Sequence, residues 1–134
     1  MFNNNEKYEY AAEKKRLQTQ FYDKYPLVFS HGIHISTSKG WDNIIIKLCE
    51  KLEPILSQMD NPPYAIQIKE KFGELRFYMS STTEEIQALI RKAEKETLET
   101  CEICGKPSDN KYEPKNVCYW IKTLCTDCHI ARDK

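Results

Sequence analysis

The chain has 134 residues, of which 40% are hydrophobic and 30% charged, so it is long enough for one domain with a modest core. Lys and Arg together number 20, as do Asp and Glu. This balance disfavours a protein that binds duplex DNA nonspecifically through a basic surface. We find no apolar run of membrane-spanning length and no secretory signal at the N-terminus, and therefore expect a cytoplasmic protein without membrane contact. In that compartment the six cysteines are expected to be reduced thiols and metal ligands.

The first part of the chain predicts two helices joined by an extended segment. Residues 6–24 have a partial apolar stripe of helical period, which Pro26 should end because the residue before a proline is pushed out of the helical region. Residues 27–36 indicate an extended segment or short strand that is broken at Gly32. The clearest helix follows, with Ser38 as its predicted N-cap and an apolar stripe that runs to Met59. Pro54 should kink this helix or start a second one.

From Tyr64 to Met79 the apolar period changes to two, which predicts an antiparallel hairpin. The three residues Lys71-Phe-Gly73 are expected to form its loop, with the glycine in the left-handed conformation. One face of the hairpin is expected to be apolar and to pack on the preceding helix, through Tyr64, Ile66, Ile68, Leu75, Phe77 and Met79. The opposite face is expected to present Gln67, Lys69, Lys71, Arg76 and Tyr78.

A third helix is expected after the hairpin, N-capped by Ser81 or Thr82 with a glutamate three residues further on. It runs into Cys101 without a linker rich in Gly, Pro or Ser. We therefore predict an α+β fold, with helices packed on a short antiparallel hairpin or small sheet and a C-terminal four-cysteine zinc module. The α+β body is expected to span residues 1–100, and the zinc module residues 101–134, packed on the body.

Two C-x-x-C pairs, Cys101 with Cys104 and Cys125 with Cys128, are separated by the twenty residues 105–124. This spacing is typical of a four-cysteine zinc site, in which thiolates fill all four positions and leave none for substrate or water. The alternative is two separate redox dithiols, but the βαβ context that such motifs need is not indicated. Other ligand candidates were weighed and disfavoured, because their residue contexts suit ordinary structural roles better: His31, His34 and Cys118.

The segment Leu124-Cys-Thr-Asp-Cys-His-Ile-Ala-Arg132 resembles the closing half of the zinc-bound treble clef found in many HNH endonucleases. The resemblance implies a treble-clef or ribbon shape for the tail. Those nucleases also need a catalytic histidine between the two cysteine pairs, and residues 105–124 contain none. His129 follows the last cysteine and cannot by itself rebuild such a site. The sequence thus favours the shape and disfavours the nuclease chemistry.

A second resemblance rests on Gly40-Trp41 ahead of a helix, on the string Lys69-Glu-Lys-Phe-Gly-Glu-Leu-Arg-Phe-Tyr78 and on the cysteine-rich end. These features resemble a family of small, largely uncharacterised proteins of bacteriophages and bacteria. The resemblance spans roughly residues 30–128. It implies a phage or prophage origin and carries no activity with it.

Four residues of the predicted hairpin, Lys69, Lys71, Arg76 and Tyr78, would together suit an anion that carries an aromatic base. The alternative is an ordinary solvent-facing surface whose charges pair with nearby glutamates. Neither a phosphate-binding loop nor a nucleophile with an evident base is found, which favours a protein that is not an enzyme. We therefore expect a non-catalytic, zinc-stabilised phage binding protein that sequesters an anionic, nucleotide-type signal of host defence.

The competing hypothesis is a nucleic-acid or host-protein adaptor that uses the zinc module as its contact surface. An exposed Trp120 beside Lys115 and Lys122 would favour this adaptor. Between the two ligand classes, the neutral charge of the chain disfavours nucleic acid. The sequence leaves the oligomeric state open, and an oligomer could build a pocket between chains.

Overall fold

The computed structural model describes residues 4–108, 111–112 and 122–132, with side chains for residues 11–108 and 122–131. In these ranges the fold is α+β, as predicted, with four helices, a three-stranded sheet and a two-stranded sheet. The helices are α1 (Asn4–Leu17), α2 (Asp42–Ser57), α3 (Glu84–Thr97) and α4 (Thr126–Arg132). The strands are β1 (Ile35–Ser36), β2 (Ala65–Lys71), β3 (Glu74–Met79), β4 (Lys111–Tyr112) and β5 (Lys122–Thr123). None of the helices in these ranges is both long and apolar enough to cross a membrane.

The first helical region is α1 followed by a π-helical turn over Gln18–Tyr22, and it ends ahead of Pro26 as predicted. Leu17, Phe21 and Tyr25 from this region are buried in the main core. Arg16 donates to both carboxylate oxygens of Asp42, the first residue of α2, and this ion pair fixes the end of α1 against the body.

The second helix starts later than predicted and is not divided by its proline. Ser38 precedes a 3₁₀ turn over Lys39–Trp41, its side chain makes no capping hydrogen bond, and α2 begins only at Asp42. Helix α2 then continues through Pro54 to Ser57, so of the two alternatives predicted at Pro54, a kink or a second helix, the second helix is wrong. Pro54 has no N–H to donate to the carbonyl one turn earlier, so α2 continues here with one intrahelical hydrogen bond fewer.

The three-stranded sheet has the order β1-β2-β3, with β1 parallel to β2 and β2 antiparallel to β3. Only Ile35–Ser36 of the predicted extended segment forms a strand, while Gly32 has a φ of +64° at the expected break. Helix α3 packs against both α2 and β3. The helices cover the sheet face that carries the buried side chains of Ile68, Leu75 and Phe77.

The apolar face of the hairpin departs from the prediction at its first residues. Ala65 pairs with Met79 and Gln67 pairs with Tyr78, so Ile66 is an extra residue that forms a β-bulge. Ala65 is therefore buried, whereas Ile66 is 51% exposed. The predicted alternation was wrong here because one inserted residue moves every side chain before it to the other face.

The loop of the hairpin has two residues and not the predicted three. Lys71 pairs with Glu74, which leaves Phe72 and Gly73 at the turn with φ angles of 56° and 77°. Positive φ at both central positions defines a type I′ turn, whose twist matches that of the flanking strands. The left-handed conformation predicted for Gly73 is present.

Helix α3 is capped by Thr83, whose Oγ1 accepts a hydrogen bond from the backbone N–H of Ile86 at 3.2 Å. The prediction that Ser81 or Thr82 would be the N-cap is therefore wrong. From the same helix, Glu94 accepts a hydrogen bond from the backbone N–H of Phe77 at 3.4 Å, which satisfies a donor on β3, the edge strand of the sheet.

Candidate metal centre

The four predicted ligands, Cys101, Cys104, Cys125 and Cys128, lie together, with all Sγ atoms within 4.8 Å of one another. The Sγ atoms of Cys104 and Cys125 are 3.6 Å apart. A tetrahedral zinc ion with bonds of about 2.3 Å would place its sulfur ligands roughly 3.8 Å apart, so the cluster has the size that a metal ion requires. Thiol ligands in this number favour zinc over metals that prefer oxygen.

The first cysteine pair lies on a tight turn of the backbone. Gly105 donates its N–H to the carbonyl of Cys101 at 2.9 Å, and Cys101 donates its own N–H to the carbonyl of Lys106 at 2.7 Å. These bonds fold the chain back within six residues, and Gly105 has the positive φ, 81°, that the reversal needs. The turn places the Sγ atoms of Cys101 and Cys104 on the same side.

The second cysteine pair is placed by the start of α4. Cys125 directly precedes this helix and Cys128 lies in its first turn, while the N–H of His129 donates to the carbonyl of Cys125 at 3.0 Å. The ligands therefore come from a turn and a helix start, with β4 and β5 between them in the chain. His129 is not one of the four clustered ligands.

The surroundings of the four thiols differ. Cys101 is fully buried and Cys125 nearly so, whereas Cys104 is exposed. Burial opposes ionisation of Cys101, but hydrogen bonds from the backbone N–H groups of Cys125, Cys104 and Ile103 outweigh it and lower the pKa of this thiol to about 7. For Cys128, burial and the neighbouring thiols raise the pKa. A zinc ion would displace the protons that these thiols share.

The first contact between this cysteine module (residues 101–132 as described) and the body is at Gly40 and Trp41. Gly40 donates its N–H to the carbonyl of Glu102 at 2.9 Å, and the indole N–H of buried Trp41 donates to the carbonyl of Thr100 at 2.9 Å. A Cβ at Gly40 would lie 2.2 Å from the carbonyl oxygen of Cys101. Only glycine can occupy this position without displacing the metal-binding turn.

The second contact is at the turn of the β2–β3 hairpin. Thr123 of β5 donates its hydroxyl to the carbonyl of Gly73 at 2.6 Å. A Cβ at Gly73 would lie 3.0 Å from the backbone nitrogen of Thr123, so the two backbones meet closely. The hairpin turn is thus held by the strand that leads into Cys125.

Charged side chains lie between these two contacts. Lys122 forms ion pairs with Glu70 of β2 and with Glu102, whose carboxylate oxygen is 3.2 Å from the ammonium nitrogen. Burial raises the pKa of Glu102 although Lys122 opposes this, while the two carboxylates outweigh burial and raise the pKa of Lys122. Glu102 also accepts from the backbone N–H of Thr123 at 3.2 Å. Lys122 and Glu70 come together because the cysteine module packs on the β2–β3 hairpin.

The four residues predicted to bind a ligand lie on the sheet face opposite the helices, which we call the outer sheet face. Lys69 pairs directly with Arg76 across β2 and β3, and the next pair on the same face brings Tyr78 beside Gln67. Tyr78 is 46% exposed and Lys71 is exposed over the ring of Phe72, 5.6 Å from its centroid. Arg76 forms an ion pair of 3.0 Å with Glu74 on the same strand. The arrangement is a flat basic surface with the exposed ring of Tyr78 on it and that of Phe72 at the turn.

The remaining candidates lie elsewhere. His31 stacks on Tyr64 with ring centroids 3.4 Å apart, and His34 lines a cavity beside α1 of about 210 Å³, so neither belongs to the cysteine cluster. The predictions for Lys115, Cys118 and Trp120 fall outside the described residues.

Sequence reasoning missed that Gly40, Glu70 and Glu102 serve the docking of the cysteine module. Gly40 and Glu70 lie in the two strings that carried the resemblance to phage proteins, which was the available signal. Those strings were interpreted as a helix start and a ligand-binding hairpin. In the structure, parts of both contact the metal-binding turn or the strand beside it.

Comparisons of the chain with protein-family models, with curated proteins and with solved structures gave no match.

Proposed function

We propose that this protein is a non-catalytic binding protein in which a structural zinc ion docks residues 101–134 against a body of residues 1–100. The observation that carries the zinc proposal is the cluster of four thiols within 4.8 Å, which no His, Asp or Glu of the described residues joins. Four thiolates complete a tetrahedral zinc site, so substrate and water have no open position. The order of turn, short strands and helix around these cysteines supports a treble-clef-like module.

The outer sheet face is the proposed binding site, and its ligand is an anionic, nucleotide-type molecule. Lys69, Lys71 and Arg76 supply three cations against one carboxylate, Glu74, and Tyr78 supplies a ring on which a base can stack. The ion pair between Arg76 and Glu74 is partly exposed, so a phosphate can compete for the guanidinium at little cost.

The setting of this function is part of the same proposal. The resemblance of the hairpin string to small phage proteins supports a phage or prophage origin. Reduced thiols, which the zinc requires, suit the cytoplasm of a host cell. There the protein would sequester a nucleotide signal of host defence, without acting on it chemically.

Calorimetric titration of zinc-loaded protein with a panel of linear and cyclic nucleotides tests this function. Binding by the wild type that is lost in Tyr78→Ala and kept in Tyr78→Phe would support the outer sheet face, since phenylalanine retains the ring on which a base can stack. A panel in which no nucleotide releases or absorbs binding heat would contradict the proposal.

A second candidate is an adaptor whose contact surface is the cysteine module. It is favoured by two exposed apolar side chains on that module, Ile103 at 49% and Ile130 at 51%. The adaptor predicts that a fluorescent single-stranded oligonucleotide binds, that Ile103→Ser weakens binding and that Arg76→Ala does not. The opposite pattern would favour the outer sheet face.

A further inference from the structure

In the part of the cysteine module that the structure describes, the core is made almost entirely of the predicted metal ligands. Its buried apolar cluster consists of Cys101, Leu124 and Cys125, with Cys128 packed against it. Of these four residues only Leu124 is not a metal ligand. So small an apolar cluster among the described residues of the module favours ordering by the metal, whereas the body has its own much larger core. Metal loss should therefore unfold the module and leave the body folded.

The folded module holds the hairpin turn through two contacts, both made by β5. The Thr123 hydroxyl binds the carbonyl of Gly73, and the Gly73 N–H donates to Glu70 at 2.8 Å. Glu70 is in turn paired with Lys122. The turn and the carboxylate that satisfies its backbone donor are thus both tied to β5, three residues or fewer before the ligand Cys125.

This turn adjoins the outer sheet face. Lys71 and Glu74 flank the turn as a directly opposed pair, and Lys69 and Arg76 form the next pair on the same face. A turn that loses its contacts would loosen the spacing of these side chains. Glu70 would also lose the cation that neutralises it. Its side chain lies on the other face of β2, between Lys69 and Lys71 in sequence, and an unneutralised carboxylate one strand's thickness away lowers the affinity of the outer sheet face for an anion.

We propose that metal occupancy at the four cysteines regulates the outer sheet face, because the metal-ordered strand β5 fixes the Phe72–Gly73 turn and neutralises Glu70. This inference rests on the proposed function of that face. Loss of the metal weakens ligand binding without unfolding the body.

Hydrogen exchange, measured with and without zinc and with no nucleotide added, tests whether the metal fixes the Phe72–Gly73 turn. Chelation should speed exchange of the backbone amides of residues 70–75 by about 10-fold or more, while those of α2 keep their protection. If the cysteine module loses protection and residues 70–75 do not, the turn is independent of the metal and the inference is overturned.

Substitutions in β5 test whether the effect of the metal reaches the hairpin turn through Lys122 and Thr123. Thr123→Val removes the hydroxyl donor at nearly constant volume, and Lys122→Met removes the ammonium at similar length; both keep all four cysteines. Each should retain one zinc per chain and still speed exchange at residues 70–75 severalfold, whereas Lys47→Met on the exposed side of α2 should not. Unchanged exchange in a zinc-retaining Thr123→Val would contradict the route.

Binding of fluorescent ADP separates this inference from the proposed function. Zinc-loaded protein should bind the probe at least about 10-fold more tightly than chelated protein. Equal affinity with and without zinc would overturn the inference and leave the binding function intact. If ADP does not bind the zinc-loaded protein, the binding function loses this ligand, and the exchange experiment still decides whether the metal fixes the turn.

Discussion

Gly40 donates its backbone N–H to the carbonyl of Glu102 at 2.9 Å, and these two residues join the start of the second helix to the first metal-binding turn. The contact is so close that a Cβ at Gly40 would lie 2.2 Å from the carbonyl oxygen of Cys101 and 2.5 Å from the carbonyl carbon of Glu102. The backbone of the body and that of the cysteine module touch here with no side chain between them.

Gly40→Ala should therefore destabilise the protein by about 1–3 kcal/mol, the usual cost of overpacking, and displace the cysteine module. Gly32→Ala is the matched control. A Cβ there meets nothing within 4 Å, so only the strain of a positive φ remains. Chemical denaturation gives the free energy of unfolding of both variants. If Gly40→Ala were no less stable than Gly32→Ala, the close docking would be refuted.

Arg76→Ala should lose the ligand and keep the fold. One charge-assisted contact contributes roughly 1.5–3 kcal/mol, which corresponds to about 10- to 150-fold in affinity. Because Arg76 is partly exposed and its partner Glu74 equally so, the melting temperature should change by no more than a few degrees. Arg91→Ala, on the exposed side of α3, is the control for charge alone. A collapse in stability would instead assign Arg76 a structural role.

The cysteine module should have no nuclease activity. Residues 105–124 contain no histidine, and His129 follows Cys128 in α4, one position beyond the cluster. Plasmid and single-stranded DNA incubated with the zinc-loaded protein in Mg²⁺ or Mn²⁺ should remain intact on a gel. Cleavage that disappears in His129→Ala would reverse this view.

Glu94 should make stability depend on pH. Burial raises the pKa of its carboxyl, although the N–H of Phe77 and the charge of Arg76 oppose the shift. Since the folded-state pKa is above the unfolded one, the favourable contribution is complete below the unfolded pKa and is lost as pH rises through the folded pKa. Ionised Glu94 therefore costs stability at pH 7.

Glu94→Gln keeps an oxygen that can accept from Phe77, so it should be slightly more stable than wild type at pH 7. Solvent screening keeps the gain at about 0.5 kcal/mol or less, and it should vanish near pH 4. Denaturation at both pH values measures it, with Glu85→Gln at an exposed position of α3 as control. A loss above about 1 kcal/mol at pH 7 would show that ion pairing with Arg76 dominates.

Local sequence patterns predicted much of this structure. The period of apolar residues located three helices and the hairpin, and the cysteine spacing located the ligand cluster, because both depend on short stretches of chain. The errors came from choices between neighbouring residues. Thr83 caps α3 although Ser81 and Thr82 are equally good capping types, and the bulge at Ile66 follows from pairing with β3.

The sequence predicted a module packed on the body, because no linker precedes Cys101, but the residues that make the contact were beyond its reach. Gly40 and Glu102 are 62 residues apart, and Gly73 and Thr123 are 50 residues apart. No periodicity in the sequence links positions so distant. The sequence does not distinguish a glycine required by a close backbone contact from a glycine required by a turn. The sequence therefore marked Gly40 and Gly73 as special without showing what they touch.

The measurement that tests the account most directly is the metal content of protein purified without added metal, together with that of Cys125→Ser. Elemental analysis should find one zinc per wild-type chain. In Cys125→Ser, zinc and the stability of the cysteine module should both be lost, because metal binding and local folding are coupled. Wild-type protein without zinc, or full zinc retention in Cys125→Ser, would contradict the assignment of Cys101, Cys104, Cys125 and Cys128 as a structural zinc site.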